Sequence, residues 1–228
     1  MRHSASPLLL ALDTSTHWVS VALYDGVSLL SEHTWLSRDY HTIELAPTVH
    51  QALERLGRSA RELSCVAVAI GPGSFTGLRV GIALAKGLAL GNRIPLVGVP
   101  SLDVLAASQP VMKLPMIAAL RAGRGRLALR RYECREDKWQ AQGEYQILTA
   151  EQLAAALDQP TWLCGEFDSA ERQILSARPN ALLASPFLCL RRAGKLAEIG
   201  WQLWQSGKLS DPATLSPIYL HFHEPIPT

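Results

Sequence analysis

Apolar residues along this chain fall into short blocks whose period switches between two and about 3.6. Leu8-Leu9-Leu10-Ala11-Leu12 is continuously apolar and reads as a buried strand closing in Asp13-Thr14-Ser15-Thr16. His17 to Tyr24 alternates, with Val19, Val21 and Leu23 on one face, and Asp25-Gly26 signals a hairpin that returns as a strand over Val27–Trp35. From Tyr40 to Leu56, Ile43, Ala46, Val49, Leu53 and Leu56 have helical spacing. Pro47 inside that pattern predicts a helix that starts late or bends. Cys65–Ile70 is an uncharged, β-branched run, the signature of a strand covered on both faces. A glycine-rich turn, Gly71-Pro72-Gly73-Ser74-Phe75-Thr76-Gly77, leads into a helix over Leu78–Leu90, and Leu96–Val99 predicts a fifth strand.

The second half repeats this order more faintly. Met116–Ala122 and Arg126–Glu133 read as strands around Gly123-Arg124-Gly125, and Trp139–Leu148 as a third strand interrupted at Gly143. Thr149 caps a helix reaching Leu157, Thr161–Cys164 is a strand, and Gly165-Glu166-Phe167-Asp168 takes the place of the glycine turn before a helix over Ser169–Ala177. A last helix over Arg192–Ser206 precedes a proline-punctuated tail. Two βββαβα units in tandem imply an internal duplication with a boundary near Ser101–Pro115. The expected architecture is α/β, with two actin-like (ASKHA or ribonuclease H-like) lobes: residues 1–107, and a smaller, degenerate lobe over 108–228 carrying the C-terminal helix and tail. Such lobes hold nucleotide between them in actin, hexokinase and Hsp70, but fold order does not fix activity.

The chemistry of the glycine turn is not that of the better-known loops. No Lys follows Gly77, so it is not a Walker A loop, and Gly-x-Gly-x-x-x-Gly misses the dinucleotide fingerprint by one residue. Pro72 and Thr76 flank Ser74 where a nucleophile elbow needs glycines. The glycines permit positive φ and close backbone approach, Ser74 or Thr76 can cap the helix, and the amides there favour an anion. The plainer alternative is a strand–helix turn made of small residues because its elements pack closely.

Composition narrows the classes. The 228 residues are 48% hydrophobic and 18% charged, an ordered globular balance, and a net charge of +2 draws the chain strongly to neither nucleic acid nor membrane. Apolar runs are broken well short of a membrane span, and the first seven residues are too short and polar for a signal peptide. Cys65, Cys134, Cys164 and Cys189 form no Cys-x-x-Cys pair and read as reduced thiols of a cytoplasmic protein. His221 and His223, two apart in the tail, could bind metal at a strand edge, but a solvent-exposed pair is the preferred reading.

Three pieces together resemble the TsaB (YeaZ) family: Asp13-Thr14-Ser15-Thr16, His41-Thr42-Ile43-Glu44-Leu45 with Pro47 behind it, and Gly71 to Arg79 continuing to Ala85-Lys86-Gly87. The likeness covers residues 8 to about 107. Leu120–Arg126 is similar to a family hairpin but carries Arg121 where Asp is usual, and Pro217-Ile218-Tyr219-Leu220 is similar to its closing motif. The resemblance implies a non-catalytic partner of a TsaD-like subunit which, with a TsaE-like ATPase, threonylcarbamoylates the tRNA adenosine next to the anticodon. It implies pairing through the two first-lobe helices, self-dimerisation through the same face, tRNA engaged through the complex, no intrinsic cofactor or metal, and room for ATP or ADP at the interface with the partner. The different class kept beside it is an autonomous actin-fold ATPase or glycoprotease-like peptidase. No His-Glu-x-x-His occurs to support a zinc peptidase.

On this basis the expected interface residues are His41, Glu44, Leu45, Phe75, Thr76, Gly77, Arg79, Gly81, Ala85 and Lys86. Gly77, Gly81 and Ala85 make a small-residue stripe open to two readings, a partner helix or the chain's own sheet. His41 and Glu44 share a face and could equally pair within the helix. Asp13, Thr14, Ser15, Gly73 and Ser74 mark the nucleotide position of actin-like ATPases, although Asp13 is better read as capping its own turn. Arg124, Arg126 and Arg130, with Tyr132, form a basic stripe that could follow tRNA phosphates or be a solvated sheet face.

Overall fold

Strands β1 (Leu9–Asp13) and β4 (Cys65–Ala69) lie parallel at the centre of the first sheet, and every residue in both is buried. Their side chains divide by parity. Leu10, Leu12, Val66 and Val68 meet α1 (His41–Arg55) and α2 (Phe75–Asn92) through Leu45, Val49, Leu53, Ile82, Ala85 and Ala89. Leu9, Ala11, Ala67 and Ala69 face the opposite way, onto Ala193, Leu196 and Ala197 of α6 (Ala193–Gln205). Helices on both faces explain why these strands are uninterrupted apolar runs. β2 (Trp18–Tyr24) and β3 (Leu29–Leu36) extend the sheet antiparallel on one side and β5 (Leu96–Val99) parallel on the other, giving the order β3-β2-β1-β4-β5.

The second sheet has the same plan. β6 (Met116–Gly123), β7 (Arg126–Arg135), β8 (Lys138–Leu148), β9 (Thr161–Gly165) and β10 (Ala181–Leu183) are ordered β8-β7-β6-β9-β10. One face packs on α4 (Ala150–Ala155) and α5 (Ser169–Ser176), and the other on α3 (Ser101–Ala107) through Leu102, Leu105 and Ala106. The fold is thus actin-like α/β, two duplicated lobes in tandem. Two helices do not respect a division at residue 107: α3 covers the second sheet, and α6, from the end of the chain, covers the first. The structure is a computed structural model that describes residues 6–38, 41–123 and 125–220. Among the described residues no helix is long and apolar enough to cross a membrane.

Several local expectations change. α1 begins at His41 and runs through Pro47, so the helix does not start late. Both Pro47 and Ile43, whose carbonyl Pro47 cannot reach, are exposed, so the missing bond lies where water replaces it. The Asp25-Gly26 turn is longer than a two-residue hairpin: Asp25 Oδ1 accepts from the amides of Val27 (2.9 Å) and Ser28 (2.6 Å), and β3 starts at Leu29. The break at Gly143 is a bulge, with φ +63° and irregular pairing opposite Leu129–Arg131. α3 and β10 were not expected. After α6 the chain returns along the first lobe, where Ser210 N donates to Leu96 O (2.8 Å) and Ile218 N to Ile70 O (2.7 Å).

Candidate functional site

The glycine turn fits tightly over the end of β1. Ser74 caps α2 by accepting from Gly77 N (3.2 Å), and its own amide donates to Ser15 O (2.6 Å). Only Gly71 in this turn uses a positive φ, +101°. Gly77 and Gly81 are required for proximity instead, since a Cβ on either would collide with Thr14. Gly77, Gly81 and Ala85 are all buried, with Ala85 in the first-lobe core. This corrects the interface reading of the small-residue stripe, which faces the chain's own sheet because β1 passes directly beneath α2. Leu45 is likewise a core residue, 1% exposed.

The solvent side of the same two helices is apolar. Thr42, Ala46, Phe75, Thr76, Arg79, Val80, Ala83 and Leu84, with His41 and Leu45 at its floor, line a groove of about 440 Å³ between α1 and α2. A second hollow of about 410 Å³ continues from Ala46 and Leu84 towards Leu53 and Leu88. Ile43 and Leu90 stand 68% and 64% exposed on these helices. Among the expected contact residues, Phe75, Thr76 and Arg79 are exposed here and Lys86 is half-buried. His41 and Glu44 serve the lobe itself. His41 Nε2 lies 3.0 Å from Thr16 O, and Glu44 Oε2 accepts from Trp35 Nε1 at 2.9 Å. Hydrogen bonds from Trp35 and then Ser37 hold the Glu44 carboxyl below its ordinary value. Arg79 stacks over Phe75 at 3.8 Å and donates to Tyr219 Oη (3.0 Å), so the closing motif of the tail is fastened to the edge of the groove.

Between the lobes, most residues expected at the nucleotide position engage one another or Arg191. Asp13 is 1% exposed; its Oδ1 accepts from Ser15 N (2.8 Å), the turn cap expected of it, and its Oδ2 accepts from Arg191 Nε (3.0 Å). Thr14 Oγ1 donates to Gly77 O (2.7 Å), and Ser15 Oγ is 2.6 Å from Ser101 Oγ. Three of the five expected nucleotide residues are therefore buried and engaged, while Gly73 and Ser74 border a cleft of about 470 Å³ with Thr16, Arg121, Glu166 and Tyr219. Arg191, which the sequence reading missed, is fully buried, with Nη1 on Glu166 (2.5 Å) and Nη2 on Thr16 Oγ1 (2.8 Å). Burial alone would lower the pKa of Arg191, but Asp13 and Glu166 outweigh it and raise it above the ordinary guanidinium value. Removing one partner from such a buried pair costs on the order of 3–5 kcal/mol. Its partners lie 178 and 25 residues away in sequence, and the one local hint is an arginine beside the apolar run Phe187–Leu190.

Arg121, at the position where the resembled family carries Asp, reaches Asp168 Oδ2 (2.7 Å) and Glu171 Oε2 (3.0 Å) at the capped start of α5. Arg126, Arg130 and Tyr132 share one face of β7. Tyr132 is 2% exposed and donates to Asp103 Oδ1 (2.7 Å), and Arg130 lies 3.9 Å from the same carboxylate with its guanidinium over Tyr145. α3 covers this face of β7, which the strand's own pattern could not show. Burial raises the Asp103 pKa against the lowering hydrogen bond from Tyr132. Arg126 is half-buried, and Arg124, like His221 and His223, lies outside the described residues. Among the described residues no group of three His, Cys, Asp or Glu side chains is placed to hold a metal ion.

Residues 35–168, more than half of the chain, match the family model described as TsaD: tRNA N6-adenosine threonylcarbamoyltransferase. The tRNA threonylcarbamoyladenosine biosynthesis protein TsaB of Escherichia coli is 30% identical over 221 residues, covering 93% of this chain and 94% of that protein. The TsaB of Bacillus subtilis is 38% identical over 100 residues, 44% of each chain. The structure of YeaZ from Pseudomonas aeruginosa superposes with a TM-score of 0.78 at 26% identity, covering 94% of this chain and all of that one. With a relative of this identity spanning nearly the whole of both proteins, the chain belongs to the TsaB (YeaZ) family of tRNA threonylcarbamoyladenosine biosynthesis proteins.

Proposed function

We propose that this chain is the non-catalytic pairing subunit of a tRNA threonylcarbamoyltransferase complex. It docks a TsaD-like subunit onto the apolar groove between α1 and α2, and with a TsaE-like ATPase supports threonylcarbamoyl transfer to the tRNA adenosine next to the anticodon. The observation that carries the reading is the groove itself. An apolar, solvent-open channel bordered by Phe75, Arg79 and Ala83 is the kind of surface that a partner's helices cover. Arg79 over Phe75 supplies an exposed cation and aromatic at its rim, residue types enriched at interface hot spots. Without the partner, a second copy covers the same face, making a homodimer. ATP or ADP belongs at the interface with the TsaD-like subunit, and tRNA is engaged through the complex in the cytoplasm.

The absence of an own activity is supported by Arg191. A metal–nucleotide complex at the end of β1 needs the Asp13 carboxylate, and a buried guanidinium already neutralises it. Reconstitution tests the reading: transfer from threonylcarbamoyl adenylate to tRNA by the TsaD-like and TsaE-like subunits should depend on adding this chain, which alone turns over neither ATP nor peptide. Turnover by the purified chain that disappears in Asp13→Asn would instead establish the autonomous enzyme.

A further inference from the structure

Among the described residues the chain crosses between its lobes twice, and both crossings are fastened to one loop. The first crossing, from β5 to α3, passes through Ser101, whose amide donates to Gly71 O (2.7 Å) and whose Oγ accepts from Gly71 N (3.0 Å) and meets Ser15 Oγ (2.6 Å). The second runs from the 3-10 turn Pro186–Cys189, packed in the second lobe, to α6 on the first sheet. Arg191 stands in that second crossing. Its Nε holds Asp13 of the first lobe at 3.0 Å, its Nη1 holds Glu166 of the second at 2.5 Å, and its Nη2 reaches Thr16 Oγ1 at 2.8 Å. Thr16 Oγ1 also donates directly across the cleft to Glu166 Oε1 (2.7 Å).

We propose that Arg191 is a hinge pin: it fixes the angle between the two lobes, so that the protein presents its surfaces as one rigid body and its cleft does not open and close. Two-lobed proteins close around ligands by changing backbone angles in a few crossing residues. Here those residues are the ones tied down. A guanidinium presents its donors in a rigid planar fork, and charge-assisted bonds of this kind are strongly directional. Rotating one lobe would pull Glu166 from Nη1 and from Thr16 while Asp13 still gripped Nε, leaving a guanidinium half-paired in the wall of the first lobe. The neighbouring Arg192 braces the same crossing by pairing with Glu32, whose other oxygen accepts from Gly194 N (2.7 Å). The inference concerns this chain alone and does not depend on which partner it binds.

The test is small-angle X-ray scattering with amide hydrogen exchange on the full chain, comparing wild type with Glu166→Gln and with the double variant Asp13→Asn/Arg191→Met. The double variant removes the pin without stranding the fully buried Asp13 carboxylate, and Glu166 keeps its bond from Thr16 Oγ1, so it keeps the proposal testable should Arg191→Met alone fail to fold. Expected are a larger radius of gyration and at least tenfold faster exchange confined to residues 14–16, 165–168 and 190–193, with the centres of both sheets still protected. Glu166→Gln should move the same amides by less. A wild-type scattering curve with unchanged exchange in the double variant would overturn the proposal. So would loss of protection through both sheets, which would make Arg191 a general stabiliser.

Discussion

Gly77 and Thr14 are locked face to face: Thr14 Oγ1 donates to Gly77 O at 2.7 Å, and a Cβ on Gly77 would collide with the Thr14 carbonyl oxygen. One turn along α2, a Cβ on Gly81 would meet the Thr14 hydroxyl instead. A hydroxyl can rotate away at the cost of its hydrogen bond, whereas a carbonyl moves only with its strand. Gly81→Ala should therefore destabilise the protein by about 1–2 kcal/mol, a lost buried hydrogen bond partly offset by the roughly 1 kcal/mol that Ala gains in a helix. Gly77→Ala should cost more, about 3 kcal/mol, because overpacking against backbone adds to it. Urea unfolding checks the order, and equal stabilities would contradict the packing described here.

Acid should loosen α5 from its N-terminus. Hydrogen bonding from the Glu171 amide, and then Arg121, holds the Asp168 carboxyl below its usual 3.8. A depressed carboxylate contributes stability that is fully present above its unfolded value and is lost as pH falls through the folded one. As pH falls through that lowered folded value the cap is protonated and the Glu171 amide should lose protection. An NMR titration of Asp168 with its midpoint at or above 3.8 would contradict the assignment.

Thiol chemistry should single out one cysteine. Cys65, Cys164 and Cys189 are buried, and burial pushes the Cys65 thiol up to about 12. Cys134 is partly exposed on β7. In the native protein a disulfide reagent should titrate Cys134 first, with the other three reacting at the rate of unfolding. Mass spectrometry of the labelled peptides reads this directly, and fast modification of Cys65 would mean that the first sheet is open.

Much of this fold was legible because its helices and strands have distinct apolar periods. The continuous runs Leu8–Leu12 and Cys65–Ile70 foretold buried strands, the second covered on both faces, and the tandem order foretold two lobes. What covers each face was not legible. Periodicity gives the side of an element that is apolar, not the neighbour that meets it. Exchange of α3 and α6 between lobes therefore hid the burial of Tyr132, and the small residues of α2 read as an interface when they mark the passage of β1. Arg191 was invisible for a related reason: a buried ion pair is defined by partners in space, and nothing in its neighbours in sequence announces Asp13.

The most direct test of the account is size-exclusion chromatography with light scattering, on this chain alone and mixed with a TsaD-like subunit from the same cell. Wild type should elute as a dimer that exchanges into a one-to-one heterodimer. Ala83→Arg places a large charge in the open groove without touching the core, so it should abolish both assemblies while stability stays within about 0.5 kcal/mol of wild type. Undiminished pairing by Ala83→Arg, or a monomer indifferent to the TsaD-like subunit, would contradict the claim that the α1–α2 groove is where this protein works.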